Sequence, residues 1–401
     1  MKWEKKKLCE CTEYITDGDH QPVPKADKGV HFIKIKDIVN NQVSFDAQVY
    51  VPQEYYDNLP MERKPQKEDV LYTVVGSFGI PSYVQTDELF CFERNIALLH
   101  PNKDIEPRFL YYSLKNPAFY KGVEIVANGS AQKLIPLSKL KDLKISVPDK
   151  EAQHRIADIL SVYDNLIENN QKQIKLLEEA AQRLYKEWFV DLRFPGYENT
   201  KIVDGVPEGW NECTVESFGT VITGKTPPTS NKEYYTNGKV PFVTIPDMHN
   251  VVYPLKTEKR LTIEGAQTQK NKYIPPNSVM ISCIGTVGLV SIATEVCQTN
   301  QQINSIILNN EDDLYFFYES MLRMKDLLDG LGSNGATMTN VNKSKLEKLI
   351  IISPSKDIVK QYNDVCKPLF ESALNLSRKN VYLKNMREAL LPKLMSGEVE
   401  V

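Results

Sequence analysis

The segment Ser138–Pro148, SKLKDLKISVP, returns 206 positions later as Ser344–Pro354, SKLEKLIIISP, and each copy runs directly into a helix-like stretch. A chain that repeats itself at half its length has to fold as two similar units. The same offset pairs Gly129 with Gly335, Leu177 with Leu383 and Leu184 with Leu390. Toward the start of each half the offset drifts: 209 pairs Gly76 with Gly285, Gly79 with Gly288 and Asn95 with Asn304; 210 pairs Ile35 with Ile245 and Asp37 with Asp247; 207 pairs Trp3 with Trp210, Ile15 with Ile222 and Thr16 with Thr223. Solenoid units run roughly 20–50 residues, so this period reads as a duplicated module. Likeness is diffuse in the first part of each half and sharper afterward.

Composition narrows the class. With 41% hydrophobic and 25% charged residues the chain reads as ordinary globular protein. No apolar run is long enough for a membrane span, and the opening MKWEKKKLCECTEY has no apolar core of a secretory signal, so a cytoplasmic protein is expected. The seven cysteines are scattered, and Cys9-x-Cys11 has no second pair or histidine at zinc spacing; free thiols are expected and no metal. Residues 1–150 carry 21 Lys plus Arg against 21 Asp plus Glu, and residues 207–355 carry 13 against 15. Neither is a free-standing basic DNA binder. If nucleic acid is the target, local patches or partner subunits supply much of the phosphate neutralisation.

A heptad seam dominates the middle of the chain. Ile156, Leu160, Tyr163, Ile167, Asn170, Ile174, Leu177, Ala181, Leu184 and Trp188 recur at spacings of four and three, over about 48 Å of helix at 1.5 Å per residue. Such a seam needs a partner, and the second half offers Tyr362, Cys366, Leu369, Ala373, Leu376, Asn380, Leu383, Arg387, Leu390 and Leu394. Arg387 interrupts this second seam, and Pro368 and Pro392 are expected to kink or end its helix. Antiparallel helices whose facing residue numbers sum to about 550 would set Ile156 near Leu394, Trp188 near Tyr362 and Asn170 against Asn380, a buried polar pair that fixes register.

The resulting division is a first variable module (1–150), a first spacer helix (151–193), a linker rich in Gly, Pro and polar residues (194–210), a second module (211–355), and a second spacer helix with its tail (356–401). Within the modules, strands are predicted near Val30–Ile35, Val70–Val75, Ile96–Leu99, Val240–Ile245, Val279–Cys283 and Ile303–Leu308, and helices near Pro107–Leu114 and Asp313–Leu328. Strands first and helices later give an α+β fold class: two tandem modules of mixed sheet plus helices, joined by an antiparallel pseudo-twofold helix pair.

One motif is refused. Gly219–Thr226 has the letters of a phosphate-binding loop, GxxxxGKT, but that chemistry needs a helix to follow at once, and Pro227-Pro228-Thr229-Ser230 reads as a turn. A polar loop presenting Lys225, Thr226, Thr229 and Lys232 is the better reading; the first half has Thr16-Asp17-Gly18 there. Gly76-Ser77-Phe78-Gly79 and Gly285-Thr286-Val287-Gly288 each end a strand where glycine permits positive φ. The loops around Asn128-Gly129-Ser130 and Asn334-Gly335-Ala336 continue into Gln132 and Lys133, and into Thr337, Thr339, Asn340 and Lys343. Donors and acceptors of this kind suit base edges and phosphates, which makes Ser77, Phe78, Thr286 and Ser130 candidates beside them. Catalytic constellations are missing: the five histidines show no HExxH spacing, there is no Gly-x-Ser-x-Gly elbow, and the Pro pairs Pro227-Pro228-Thr229 and Pro275-Pro276-Asn277 lack the aromatic residue of a base-aminomethylating tetrapeptide.

Two variable modules alternating with two repeated helices resemble the specificity subunit of type I restriction-modification systems. The likeness rests on Val221–Ser230, Val240–Asp247, Ile284-Gly-Thr-Val-Gly288, Asn300-Gln-Gln-Ile-Asn-Ser305, the helix heads after Pro148 and Pro354, and Leu390-Leu-Pro-Lys-Leu-Met-Ser-Gly-Glu398. It implies a non-catalytic reader of double-stranded DNA whose modules are target-recognition domains, each reading one half of a split asymmetric sequence. It also implies a helix pair acting as a ruler between them. Two methyltransferase subunits and restriction/translocase subunits would dock on it; S-adenosylmethionine, ATP and Mg would be ligands of those partners and no cofactor a ligand of this chain. A DNA methyltransferase in its own right and a scaffold that binds only proteins are the alternatives.

Overall fold

The computed structural model describes residues 3–39, 41–127, 133–332 and 340–401, without the side chains of 329, 331 and 332. Contacts divide the chain into two compact units, Met1–Ile167 with Tyr382–Val401, and Glu168–Val381. Both cuts fall inside long helices, Lys150–Tyr185 and Lys356–Ser396. Each unit therefore contains a stretch of both.

The duplication is visible strand by strand. In unit 1 a four-stranded antiparallel sheet runs Thr12–Asp17, Ile96–Pro101, Val70–Thr73, Pro81–Tyr83; in unit 2 the order is Gly219–Thr223, Ile303–Leu308, Val279–Ser282, Val290–Ile292. A smaller sheet pairs Val30–Ile33 in parallel with Phe90–Phe92, as Val240–Val243 pairs with Gln298–Thr299. The strand that opens each module, Glu4–Lys7 or Asn211–Thr214, closes against the strand leading into the long helix, Lys144–Val147 or Ile350–Ser353.

The central strands read as apolar runs because both of their faces are covered. Side chains alternate across a strand, so Val70 and Tyr72 join Phe109, Leu110 and Leu160 on one face, while Leu71 joins Ile33, Phe90, Ile96 and Leu98 on the other. Unit 2 repeats this with Val279 and Ile281 against Phe316 and Tyr362, and Met280 against Val243 and Ile303. The helices over the first face are Pro107–Lys115 followed by Pro117–Val126 in unit 1, and Leu314–Arg323 followed by Lys325–Gly332 in unit 2.

Strand register corrects the offsets read from sequence. A bulge opposite His100–Pro101 absorbs an extra residue in Thr12–Asp17, so Ile15 lies opposite Leu99 as Val221 lies opposite Ile306. Ile15 therefore matches Val221 rather than Ile222, and Thr16 matches Ile222. Likewise Ile96 faces Thr73 as Ile303 faces Ser282, which matches Asn95 with Gln302 rather than Asn304.

The helix seam packs in the predicted register. Asn170 Nδ2 donates to Asn380 Oδ1 at 2.8 Å, both residues being buried. The rings of Trp188 and Tyr362 lie 5.8 Å apart, and Ile156 and Leu394 share the unit 1 core. Tyr163, Ile167, Ile174, Leu177, Leu184, Leu369, Leu376, Leu383 and Leu390 are all buried or half-buried. Two expectations fail. Arg387 does not interrupt the packing: it is buried, and its guanidinium binds Asp164, whose other oxygen accepts from Tyr112 OH at 2.7 Å. Pro368 and Pro392 do not end the helix, which continues through both. The N–H groups these prolines lack would have bonded the carbonyls of Asp364 and Glu388, which are exposed residues.

Candidate nucleic-acid interface

In unit 2 four loops meet at one end of the central sheet. Gly224 follows the edge strand and lies flat on the next turn: a Cβ built on it would sit 2.1 Å from Asn300 O and 2.3 Å from Thr299 Oγ1, so only glycine fits. Its N–H donates to Ile303 O and that of Lys225 to Thr299 O. The loop is braced from the side by Gln269, 3% exposed, whose Nε2 donates to Lys225 O at 2.7 Å and to Gln298 Oε1 at 2.8 Å. Thr226 Oγ1 donates to Gln301 Oε1 at 2.6 Å. The turn Thr299–Gln302 reaches the third loop, since Cys283 N–H donates to Gln302 O and Gln302 Nε2 lies 3.7 Å from where a Gly285 Cβ would stand. The fourth loop joins there: Asn340 bridges Ile284, and Val341 N–H donates to Cys283 O.

The structure thus brings Lys225, Thr226, Thr286 and Asn340 together. Lys225, Thr286 and Asn340 are exposed and Thr226 half-buried. Thr229 is exposed farther along the same loop, and Lys232 opens the 3-10 turn Lys232–Tyr234 beyond it. Lys343 stands at the start of the short helix Lys343–Glu347, paired with Glu347 at 3.4 Å. No helix follows Thr226, as the refusal of a phosphate-binding loop requires. Ser130, Gln132, Thr337 and Thr339 lie outside the described residues.

Unit 1 builds the same platform from different side chains. Gly76 and Gly79 have φ of +69° and +85°, as Gly285 and Gly288 have +81°. Gly76 N–H donates to Lys133 O, which draws that loop onto the turn carrying the exposed Ser77. Phe78 is half-buried on Tyr120, with ring centroids 5.9 Å apart and an interplanar angle of 11°, and Lys133 Nζ lies 5.6 Å over the Phe78 ring. Gly18 is as tightly seated as Gly224, its Cβ position 2.2 Å from Phe92 O. The next residue differs in sign: Asp19 stands where unit 2 has Lys225. Its Oδ1 accepts from Gln21 N–H at 3.1 Å and lies 3.6 Å from Arg63 Nη1, and its Oδ2 accepts from Tyr55 OH at 3.1 Å. The Gln21 N–H foremost, with the Tyr55 hydroxyl and the Arg63 guanidinium, holds the Asp19 carboxyl below its usual range.

Sequence reasoning missed Asn300, Gln301, Gln302, Gln269 and the Asp19–Arg63 pair. The repeat itself pointed to Gln301 and Gln302, because the Asn300-Gln-Gln run precedes a matched strand. Gln269 sits 44 residues from Lys225 and carried no local signal. Among the described residues no group of three or more His, Cys, Asp or Glu could hold a metal, and no helix is long and apolar enough to cross a membrane.

The family model described as the type I restriction modification DNA specificity domain matches twice, at residues 2–179 and 207–381. The chain belongs to the type I restriction-modification specificity-subunit family. It is 32% identical to the type I restriction enzyme HindI specificity subunit of Haemophilus influenzae, over 92% of this chain and 94% of that one. It is 29% identical to the MjaIX specificity subunit of Methanocaldococcus jannaschii, over 77% of this chain and 72% of its relative. The crystal structure of a type I restriction-modification S subunit from M. genitalium has the same fold, with a TM-score of 0.60 at 16% identity and 98% and 96% of the two chains covered. Membership of this specificity-subunit family assigns the chain to DNA sequence specificity within a restriction-modification system.

Proposed function

We propose that the chain binds a bipartite, asymmetric double-stranded DNA target, one half-site per module, and scaffolds two methyltransferase subunits and the restriction/translocase subunits. The observation that carries this reading is that two modules of one topology present different side chains at matched loop positions, Asp19 against Lys225 foremost. Equal frames with unequal contacts suit two unlike half-sites. On this reading the chain is non-catalytic and cytoplasmic. It binds no cofactor; S-adenosylmethionine, ATP and Mg belong to its partners.

The test is a mobility shift and a methyl-transfer assay on duplex DNA, with the chain alone and with methyltransferase subunits. The expected result is sequence-specific binding by the assembled complex, no methyl transfer by the chain alone, and one split motif in the host methylome. Methyl transfer by the chain alone would make it an enzyme, and binding to the subunits without any DNA preference would make it a protein scaffold. Adding one heptad to both long helices should widen the gap between half-sites by a few base pairs; an unchanged gap removes the ruler.

A further inference from the structure

Each module has a 3-10 turn leaning on the loop that follows its edge strand. In unit 2 this is Lys270–Lys272, whose neighbour Gln269 holds the carbonyl of Lys225. In unit 1 it is Met61–Arg63, packed against Thr12–Asp17 and ending in the arginine that meets Asp19. Turn and loop form one surface in both units. Both turns carry cations, Lys270 and Lys272 in unit 2 and Arg63 in unit 1, but the loops differ: unit 2 carries Lys225 there, whereas unit 1 has a carboxylate and brings a guanidinium to it from the turn.

We propose that Arg63 is a specificity-determining contact of the first module with DNA, and that Asp19 is its positioning residue. This rests on the reading of the chain as a DNA specificity subunit. A lone carboxylate at the Lys225 position would repel phosphate, but both oxygens of Asp19 are engaged, by Gln21 N–H and Arg63 and by Tyr55 OH. The Asp19 and Arg63 side chains are 24% and 27% exposed, so the pair is seated yet reachable. A guanidinium has five donors in a planar fork; with one nitrogen 3.6 Å from the Asp19 carboxylate, the others remain for the paired acceptors O6 and N7 of guanine. Lysine has no fork and cannot replace it at a bidentate contact.

The experiment uses the full-length chain assembled with methyltransferase subunits, and measures binding to duplex libraries randomised in one half-site at a time. For Arg63→Lys the expected result is a loss of about tenfold or more in preference at one base pair of one half-site, with the other half-site unchanged. Asp19→Asn relaxes the same base pair to a smaller degree, and Lys225→Ala weakens binding without changing base preference in either half-site. The unchanged half-site reports that the variant is folded. Arg63→Lys and Arg63→Ala complexes that read both half-sites as the wild type does overturn the proposal, as does a loss spread equally over all sequences, which marks a phosphate contact or a structural ion pair. A wild-type complex that prefers no sequence overturns the underlying reading instead, and the assignment of Arg63 falls with it.

Discussion

Unit 1 and unit 2 solve the same packing problem with opposite chemistry. Where the sheet-covering helix of each module meets the long helices, unit 1 places Asp164 between Tyr112 and Arg387. The position matching Asp164 in unit 2 is Phe370, stacked on Tyr315 at 4.3 Å and edge-on to Tyr318 at 5.6 Å, and the position matching Arg387 is Ala181. One crossing is a charged hydrogen-bonded node, the other an aromatic stack. A second contrast lies beside it: Ser113 and Ser320 match, each donating to the carbonyl four residues back, but the residue before them is Tyr112 in unit 1, which donates to Asp164, and Glu319 in unit 2, a carboxyl 2% exposed. A duplicated frame therefore does not imply duplicated energetics.

The aromatic crossing should break hardest. Phe370→Ala removes a fully buried ring and is expected to cost about 3–5 kcal/mol, seen as a loss of hydrogen-exchange protection in unit 2 while unit 1 keeps its own. Arg387→Ala leaves Asp164 without its cation. The expected cost is about 2–4 kcal/mol, at or below the usual range for a broken buried pair because the Asp164 side chain is 26% exposed. It should appear in unit 1, and replacing both partners by leucine should cost less than Arg387→Ala alone. Equal effects of Phe370→Ala and Arg387→Ala on both units would show that the two crossings do not act separately.

Acidity separates the units further. Burial pushes Glu319 up to about 8, with Glu178 reinforcing and Arg323 opposing, and burial alone pushes Glu178 up to about 7. A carboxyl whose folded pKa is raised contributes stability that is complete below its unfolded pKa and is lost as pH rises through the folded one. Unit 2 should therefore weaken between about pH 4.5 and 8. Glu319→Gln should change little near pH 4 and stabilise by on the order of 1–3 kcal/mol above pH 8, measured by denaturant unfolding at the two ends. The smallest effect expected is Lys225→Ala on DNA: a roughly sequence-independent weakening with the salt slope reduced by about one, and no such effect from Asp19→Ala.

What the sequence made legible is what depends on period. The seam, its antiparallel register and the Asn170–Asn380 pair follow from heptad spacing, and the glycine turns follow from matched Gly-x-x-Gly runs. What it hid depends on partners far along the chain. Arg387 looked like an interruption because Asp164 lies 223 residues away, on the flank of the seam rather than in it. The bulge that displaces Ile15 by one is invisible until the strands pair. Arg63 had no reason to be noticed, since its turn meets Asp19 only after the module has folded.

The division of the chain into units has a consequence for synthesis. Unit 2 is one uninterrupted stretch, Glu168–Val381, whereas unit 1 needs Tyr382–Val401 to supply Leu391 and Leu394 to its core. The 214 residues of unit 2 are made in between, which at about 5–20 residues per second takes on the order of 10–40 s. The module translated first is thus completed last. Until then Ile156 and Leu160 wait for the apolar side chains that will cover them, and a growing chain has that interval in which to meet a chaperone or a neighbouring nascent chain.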